Sequence, residues 1–269
     1  MSNNALHVSG SVGEPGRLAS EPREKQNMKT DPVVSAVITM HGEGILAHRT
    51  LLSIQRCREY AEAHGLRTEF VITLDNATAE TRRVVTSHPA LRDDDQVHEI
   101  NFRDLSLSRN FAIEKARGEY VGTFDGDDYF SKNWIERCVR GIEENGPTTI
   151  YHPELMVAFG ALNAYWWQPD QLGKYYTPEC LLTMNLWNAC AFAKRSVYLE
   201  YPYQVSRPGE SGFGYEDWLW NCDTIAAGYV HRTAPETVRF ERRKSDGSLN
   251  VAHQRTGAVI RPSAFFDQV

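Results

Sequence analysis

Residues 108–136 read SRNFAIEKARGEYVGTFDGDDYFSKNWIE, and this stretch decides the fold. The apolar spacing predicts a helix over 108–116 capped by Ser106 or Ser108, a buried strand over 119–124, and a helix from Ser131 or Lys132 to Glu144. Helices that alternate with strands are typical of folds in which helices pack on a parallel sheet. The acidic run DGDD follows the strand directly, at the sheet edge where such folds bind ligands.

The rest of the chain continues this alternation. Strands are predicted over 33–40, 69–74 and 97–101, with helices over 46–64 and 78–87. Because parallel neighbours need crossover connections, this order predicts an α/β fold with a mostly parallel central sheet flanked by helices. Residues 151–220 hold more than half of the aromatic residues and two further predicted helices, around 178–184 and 216–227. No linker precedes them, so we expect this half to pack on the same sheet.

Composition divides the chain into a tail and one domain. Residues 1–31 contain no aromatic residue and scatter glycine, proline and charges without a period. Such a segment cannot bury enough apolar surface to offset its ordering entropy, so a disordered, mobile tail is predicted. Residues 32–269 form the predicted domain, and its end, 251–269, is a weakly patterned C-terminal extension.

Charge and cysteine usage exclude several classes of protein. The formal net charge is −6 and no long Lys/Arg run occurs, which argues against nucleic-acid binding. The longest apolar runs fall far short of the ~18 residues of a membrane span, so no transmembrane segment is expected, and peripheral membrane association is left open. Five cysteines without a CxxC pair argue against a zinc site and a disulfide framework, so a cytoplasmic protein is expected.

The acidic run is the strongest chemical signal. Asp125, Asp127 and Asp128 would repel one another unless a cation or solvent offsets their charge. Clustered carboxylate oxygens suit Mg²⁺ or Mn²⁺ shared with substrate phosphates. The alternative is an acidic turn that only caps the next helix. A calcium loop is excluded, because Tyr129 and Phe130 stand where that loop needs an oxygen ligand and a glycine.

A second acidic pair lies in GYEDWLW, residues 214–220. Glu216 and Asp217 begin a predicted helix, whose positive N-terminal end favours ionised carboxylates. An ionised carboxylate beside a cleft can act as a general base. The alternative is that both residues serve only the helix terminus.

The loop after the first strand, HGEGILA (41–47), matches the dinucleotide-binding pattern GxGxxA. The carboxylate that this pattern requires ~20 residues later stands instead at Asp75, 33 residues after Gly42. Asp75 ends the second strand, where it either binds a base or ribose or is an ordinary turn residue. Arg109 and the basic run at 242–244 are candidates for binding a diphosphate. His231 is either a metal ligand or a core residue.

Taken in order, these segments resemble the family-2 glycosyltransferases, which have the GT-A fold. Residues 108–136 are similar to that family's Arg-Asn pair, helix, strand, metal-binding DxD and Trp-containing helix. Four further segments are similar to the family: SAVITMHGE (35–43), VITLDNAT (71–78), GYEDWLW and FERRKSDGSLN (240–250). The sequence departs from the family at residues 39–42, keeps one carboxylate of two at Asp75, and has no histidine near Lys244, so the third metal ligand is unassigned.

The resemblance implies a nucleotide-sugar half over 32–150 and an acceptor half over 151–250. It implies metal-dependent, inverting transfer of a sugar from a nucleotide-sugar donor to a hydroxyl of a glycan, lipid-linked or small-molecule acceptor. Asp217 would be the catalytic base, and Asp127 with Asp125 would hold Mn²⁺ or Mg²⁺. The implied donor-binding residues are Asp75, Arg109, Asp125, His41, Glu43, Arg242 and Arg243. The implied acceptor-binding residues are Glu216, Trp166, Trp167 and Trp218, since flat rings pack on apolar sugar faces.

Two other functions compete with this interpretation. One is a nucleotide-dependent oxidoreductase that uses the GxGxxA-like loop, and the other is a nucleotide-sugar-binding module without turnover. Binding of NAD(P)H measured against a panel of nucleotide sugars distinguishes the first, and donor binding without hydrolysis or transfer distinguishes the second.

Overall fold

The parallel part of the sheet comes from the N-terminal half of the chain. In the computed structural model, which describes residues 31–245 and 247–269, this half contains β1 (Val34–Met40), α1 (Leu46–Ala63), β2 (Thr68–Asp75), α2 (Ala79–Thr86), β3 (Gln96–Ile100), α3 (Leu105–Lys115) and β4 (Tyr120–Asp125). Its strands lie in the order β3-β2-β1-β4, and all three pairs are parallel. Every residue of β1 is buried. Alternate β1 side chains enter two different hydrophobic clusters, so both faces of the sheet are covered.

The C-terminal half extends this sheet with mixed pairing. It contains β5 (Tyr129–Phe130), α4 (Trp134–Asn145), β6 (Thr149–Gly160), β7 (Ala164–Trp167), β8 (Phe192–Lys194), α5 (Arg195–Glu200), α6 (Pro208–Ser211), α7 (Glu216–Ala226), β9 (Val230–Arg243) and α8 (Leu249–Thr256). β8 joins β4 to β6 through antiparallel pairs, and β6 lies parallel to β9. β5 and β7 pair antiparallel with β9 and β6. The aromatic half therefore does pack on the same sheet, and the predicted α/β class is confirmed.

Several local predictions need correction. Helix α3 begins at Leu105 rather than Ser108, and its N-cap is Asp104, whose side chain accepts a hydrogen bond from the Leu107 N–H at 2.9 Å. Ser106 and Ser108 lie inside the helix and are buried. The helix predicted at 178–184 is a 3₁₀ turn over Pro178–Leu182. Strands β5 to β9 and helices α5, α6 and α8 were not predicted.

The described residues from Asp31 to Val269 form one compact unit. The tail predicted at 1–31 lies, apart from Asp31, outside the described residues. The division into a nucleotide-sugar half and an acceptor half stays a prediction. Over the part of the chain that the structure covers, none of the helices combines the length and the apolar character needed to cross a bilayer.

Candidate active site

A cavity of about 1220 Å³ opens at the carboxyl ends of β1, β2 and β4. The start of α7, Lys244 and residues 247–256, which include helix α8, also line the cavity. The predicted site residues that line it are His41, Glu43, Asp75, Arg109, Asp125, Asp127, Glu216, Asp217, Trp218, Arg242 and Arg243. The fold thus brings together segments that lie up to about 200 residues apart in the sequence.

Residues 125–128, here called the acidic loop, leave β4 at the base of the cavity. Gly126 allows the loop to fold tightly, since a Cβ there would lie 2.8 Å from the carbonyl oxygen of Thr39. Asp125 accepts hydrogen bonds from Arg109 and Arg239, each at 2.8 Å. Burial opposes its ionisation, but the two guanidinium groups outweigh burial and hold the pKa of the Asp125 carboxyl below its ordinary value.

Asp128 is bound still more closely. It accepts hydrogen bonds from the Arg239 Nε at 2.8 Å and Nη2 at 2.5 Å, and from the backbone N–H of Arg242 at 2.8 Å. Arg239 is almost completely buried, so this pair is shielded from solvent. Two of the three acidic-loop carboxylates are therefore held by arginine side chains that belong to the folded core.

Asp127 differs from its two neighbours. Its Oδ2 lies 2.7 Å from the Nζ of Lys244, the first residue after β9. Although burial acts to lower it, the pKa of the Lys244 ammonium is raised by Asp127 and by Glu43. Burial in turn raises the pKa of Glu43, although its Oε2 accepts a 2.6 Å hydrogen bond from the N–H of His41. Asp127, Glu43 and Lys244 thus share one charged corner of the cavity.

Arg109 connects the acidic loop to the second acidic motif. Its Nη2 bonds Asp125, and its Nη1 donates to Glu216 at 2.9 Å. The side chain is almost completely buried, and its Nε has no hydrogen-bond partner among the described residues. The position of Arg109 therefore fixes the acidic loop relative to the start of α7, and its role as a donor-binding residue stays a prediction.

Asp217 lies in the first turn of α7 and faces the cavity. Burial, together with the negative charge of Glu216, raises the pKa of the Asp217 carboxyl to about 7. Its Oδ2 accepts a hydrogen bond from the Asn185 amide at 2.9 Å, which orients the carboxyl group. The residue before the helix, Tyr215, has a φ of 58°, a conformation rarely adopted without structural need. A carboxyl group with this pKa can accept a proton near neutral pH.

The Asp75 carboxylate is held by hydrogen bonds from the chain at the start of α3. Its carboxylate accepts hydrogen bonds from the N–H groups of Arg103 and Asp104, at 3.0 and 3.2 Å, and from the Ser108 hydroxyl at 2.6 Å. These bonds anchor the start of α3 at the end of β2. The His41 Nδ1 lies 2.7 Å from the Asp75 carbonyl oxygen, so both predicted donor-binding residues border one side of the cavity.

Trp166 and Trp167 are not brought to the cavity. Both lie on the edge strand β7, Trp167 with 64% of its surface exposed, and neither is among the described residues that line the cavity. Trp218 does line it, and its indole N–H donates to the Leu181 carbonyl oxygen at 2.9 Å. His231 is fully buried, and its Nδ1 and Nε2 lie 2.8 and 2.9 Å from His152 and Thr224, so it is a core residue.

The predicted basic residues Arg242 and Arg243 contact different partners. The Arg242 guanidinium donates to the Tyr129 hydroxyl at 2.8 Å and lies over the Phe159 ring, while Arg243 pairs with Glu241 at 2.9 Å. Sequence analysis missed Arg239, because its partners lie 111 and 114 residues away and no local motif marks it. It also missed Asn185, which lies in an irregular segment without a periodic pattern.

Among the described residues of the acidic loop, Asp127 is the one whose donor atoms fit a hard divalent cation. The ligand atoms of Asp125, Asp128 and Cys190 lie within 4.8 Å of one another. However, Arg109 and Arg239 already pair with Asp125, and Arg239 also pairs with Asp128, whose pKa burial raises to about 7. Burial also raises the pKa of the Cys190 thiol well above its ordinary value, so this group does not suit Mg²⁺ or Mn²⁺. Asp127 offers a carboxylate that faces the cavity, and Mg²⁺ sites commonly use one or two carboxylates with substrate phosphates and water.

Comparisons with known proteins establish the family. Residues 35–203 match the model of glycosyl transferase family 2, and the chain belongs to that family. It is 28% identical over 116 residues to EpsJ of Bacillus subtilis (strain 168), an uncharacterized glycosyltransferase, a match that covers 42% of this chain and 31% of EpsJ.

Two solved structures are similar in fold. S. aureus TarS 1–349 in complex with UDP-GlcNAc has a TM-score of 0.55 at 14% identity, over 83% of this chain and 64% of that one. The mannosyltransferase PcManGT from Pyrobaculum calidifontis in complex with GDP-Man and Mn²⁺ has a TM-score of 0.54 at 18% identity, over 87% and 62%. The predicted GT-A fold is thereby confirmed. The chain spans about a third of the curated relative and under two thirds of these solved chains.

Proposed function

We propose that this protein is a metal-dependent, inverting glycosyltransferase that moves a sugar from a nucleotide-sugar donor to an acceptor hydroxyl. One observation carries the proposal: the acidic loop and Asp217 line the same cavity, and Arg109 joins their two segments through Asp125 and Glu216. A donor diphosphate near the acidic loop would then lie on one side of the anomeric carbon. The proton acceptor would lie on the other side, as inversion requires.

The donor side is formed by the carboxyl ends of the parallel strands. Asp127 would hold Mn²⁺ or Mg²⁺, which when bound neutralises negative charge that develops on the leaving diphosphate. Asp125 would help by fixing the acidic loop through its pairs with Arg109 and Arg239. His41 and Asp75 border the cavity where the nucleoside would enter. Glu43, Arg242 and Arg243 are proposed as further donor contacts. Support comes from the complexes of the two similar structures, one with UDP-GlcNAc and one with GDP-Man and Mn²⁺.

Asp217 would act as the general base. Its carboxylate takes the proton of the acceptor hydroxyl while that oxygen forms a bond to the anomeric carbon. The bond between the anomeric carbon and the donor phosphate oxygen breaks, and the nucleoside diphosphate leaves with the electron pair. A pKa of about 7 keeps a large fraction of Asp217 ionised near neutral pH while leaving it basic enough to accept the proton.

The acceptor side would be formed by residues that neighbour Asp217. Glu216 and Trp218 lie next to Asp217 in the cavity lining and are proposed as acceptor contacts. Trp166 and Trp167 would serve only an acceptor long enough to reach β7. The acceptor is a glycan, a lipid-linked molecule or a small molecule with a free hydroxyl. A cytoplasmic location, with peripheral membrane association left open, is proposed because all five cysteines, each within the described residues, are free thiols.

Thermal-shift and calorimetric titration with UDP-, GDP- and dTDP-sugars, with and without Mn²⁺, tests the proposal. We expect one donor to raise Tm only when Mn²⁺ is present, followed by slow hydrolysis or transfer. Tight binding of NAD(P)H with no response to any nucleotide sugar would favour the oxidoreductase. Donor binding without any turnover of the wild-type protein would favour the binding module.

A further inference from the structure

The pairing of Asp127 with Lys244 carries an inference that rests on the proposed function and extends it. The acidic loop has two kinds of cation partner. Arg239, which holds Asp125 and Asp128, is only 3% exposed, whereas Lys244 is 33% exposed and Asp127 is 15% exposed. A buried arginine pair breaks only at high cost, while a partly exposed ion pair is weak and can exchange partners.

Lys244 stands where the chain leaves the sheet. The pairing of β6 with β9 ends at Gly160 and Arg243, so Lys244 is the first residue released from it. Gly247, three residues later, has a φ of 73°, and the chain then enters α8 along the cavity wall. The Lys244 side chain can therefore turn within the cavity without breaking a strand hydrogen bond.

An ammonium group and a divalent ion compete for the same oxygen atoms. A protonated lysine has no free electron pair, so Lys244 cannot be a metal ligand while it donates to Asp127. An ion bound to the Asp127 carboxylate would lie close to the ammonium on Oδ2, and the repulsion between the two positive charges favours release of the ammonium. The released ammonium then lies in the same cavity that would hold the diphosphate. There it would donate charge-assisted hydrogen bonds to the diphosphate oxygens.

We propose that Lys244 is a built-in counter-cation that weakens binding of the divalent ion to Asp127 until a nucleotide diphosphate arrives, and then moves from Asp127 to the diphosphate. Metal and nucleotide would consequently bind cooperatively, because the diphosphate draws away the group that competes with the metal. By linkage, the nucleotide strengthens metal binding by the same factor as the metal strengthens nucleotide binding. Lys244 is thus a positioning and charge-exchange residue of the donor site.

The test measures Mn²⁺ binding by electron paramagnetic resonance of the free ion, without nucleotide and with saturating UDP or GDP. Lys244→Met removes the charge but keeps the length, Lys244→Arg keeps the charge, and Lys174→Met is the matched control on an exposed lysine outside the cavity lining. We expect Lys244→Met to bind Mn²⁺ about fivefold tighter without nucleotide, the worth of one partly exposed ion pair. We also expect Lys244→Met to lose most of the increase in Mn²⁺ affinity that UDP or GDP causes in the wild type.

Lys244→Arg and Lys174→Met should behave as the wild type does, and circular dichroism should show that all variants are folded. An unchanged Mn²⁺ affinity in Lys244→Met, with Asp127→Asn abolishing Mn²⁺ binding, would overturn the inference and leave the metal assignment intact. If Asp127→Asn also left Mn²⁺ binding unchanged, the metal assignment of the proposed function would be wrong as well. The two failures are therefore distinguishable.

Discussion

Replacing Asp217 by Asn removes the proposed base while preserving its shape. The Asn185 amide can still donate to the remaining side-chain oxygen, so the local hydrogen bond is retained. A positioned general base contributes roughly 10²–10⁴-fold to the rate, and we expect kcat to fall by that factor. Donor affinity should change little, because Asp127 and the strand ends that form the donor side are untouched.

The same substitution has a consequence for stability, whose sign follows from the raised pKa. The folded-state pKa of Asp217, about 7, lies above its ordinary value of 3.8, so the unfolded chain releases this proton first. The ionised carboxylate therefore costs the folded protein stability as pH rises from about 4 to about 7. A pKa raised from 3.8 to about 7 corresponds to a cost of at most ~4 kcal/mol for the ionised carboxylate, and the neutral Asn avoids this cost.

Thermal denaturation at pH 4.5, 6 and 8, combined with initial rates, measures both effects. At pH 8 we expect the free energy of unfolding of Asp217→Asn to exceed that of the wild type by ~2 kcal/mol, which raises Tm by roughly 4–8 °C. This difference in stability should become smaller toward pH 4.5. The wild-type kcat/KM should rise with pH to a plateau with a midpoint near 7. Asp93→Asn, which changes an exposed carboxylate outside the lining of the cavity, is the control. Wild-type turnover by Asp217→Asn, or a stability gap that does not change with pH, would refute the reasoning.

Three other changes test the acidic loop. Asp127→Ala should remove the Mn²⁺ dependence of nucleotide binding in calorimetric titration, and equal affinities with and without Mn²⁺ in the wild type would count against the assignment. Arg239→Met leaves the buried Asp128 carboxyl without its guanidinium partner and should cost about 3–5 kcal/mol in urea unfolding, whereas Arg83→Met on the surface of α2 should cost almost nothing. Gly126→Ala places a Cβ against the carbonyl oxygen of Thr39, so we expect a loss of about 1–3 kcal/mol and weaker nucleotide binding; a neutral effect on both would contradict the tight loop.

Local sequence patterns predicted the parallel half of the fold well. The apolar runs of β1, β2 and β4 and the helices between them are local signals, because a strand buried on both faces needs consecutive apolar residues wherever it lies. The acidic loop was recognised for the same reason, since all three carboxylates follow one strand. Where two local signals competed, the prediction failed: Asp104 caps α3, although Ser106 and Ser108 are also common capping residues.

The amino-acid sequence by itself therefore determined the α/β class, the order of the elements from β1 to β4 and the two acidic motifs, since each depends on residues close together in the chain. Tertiary structure alone decided which charges pair. Arg239 reaches Asp128 across 111 residues, Arg109 reaches Glu216 across 107, and Lys244 meets Asp127 only because β9 returns to the end of β4. The physical reason is that an ion pair depends on distance in space and not on separation along the chain. Strands β6 and β9 contain both apolar and polar residues, and which of them are buried follows only from the strands that β6 and β9 pair with.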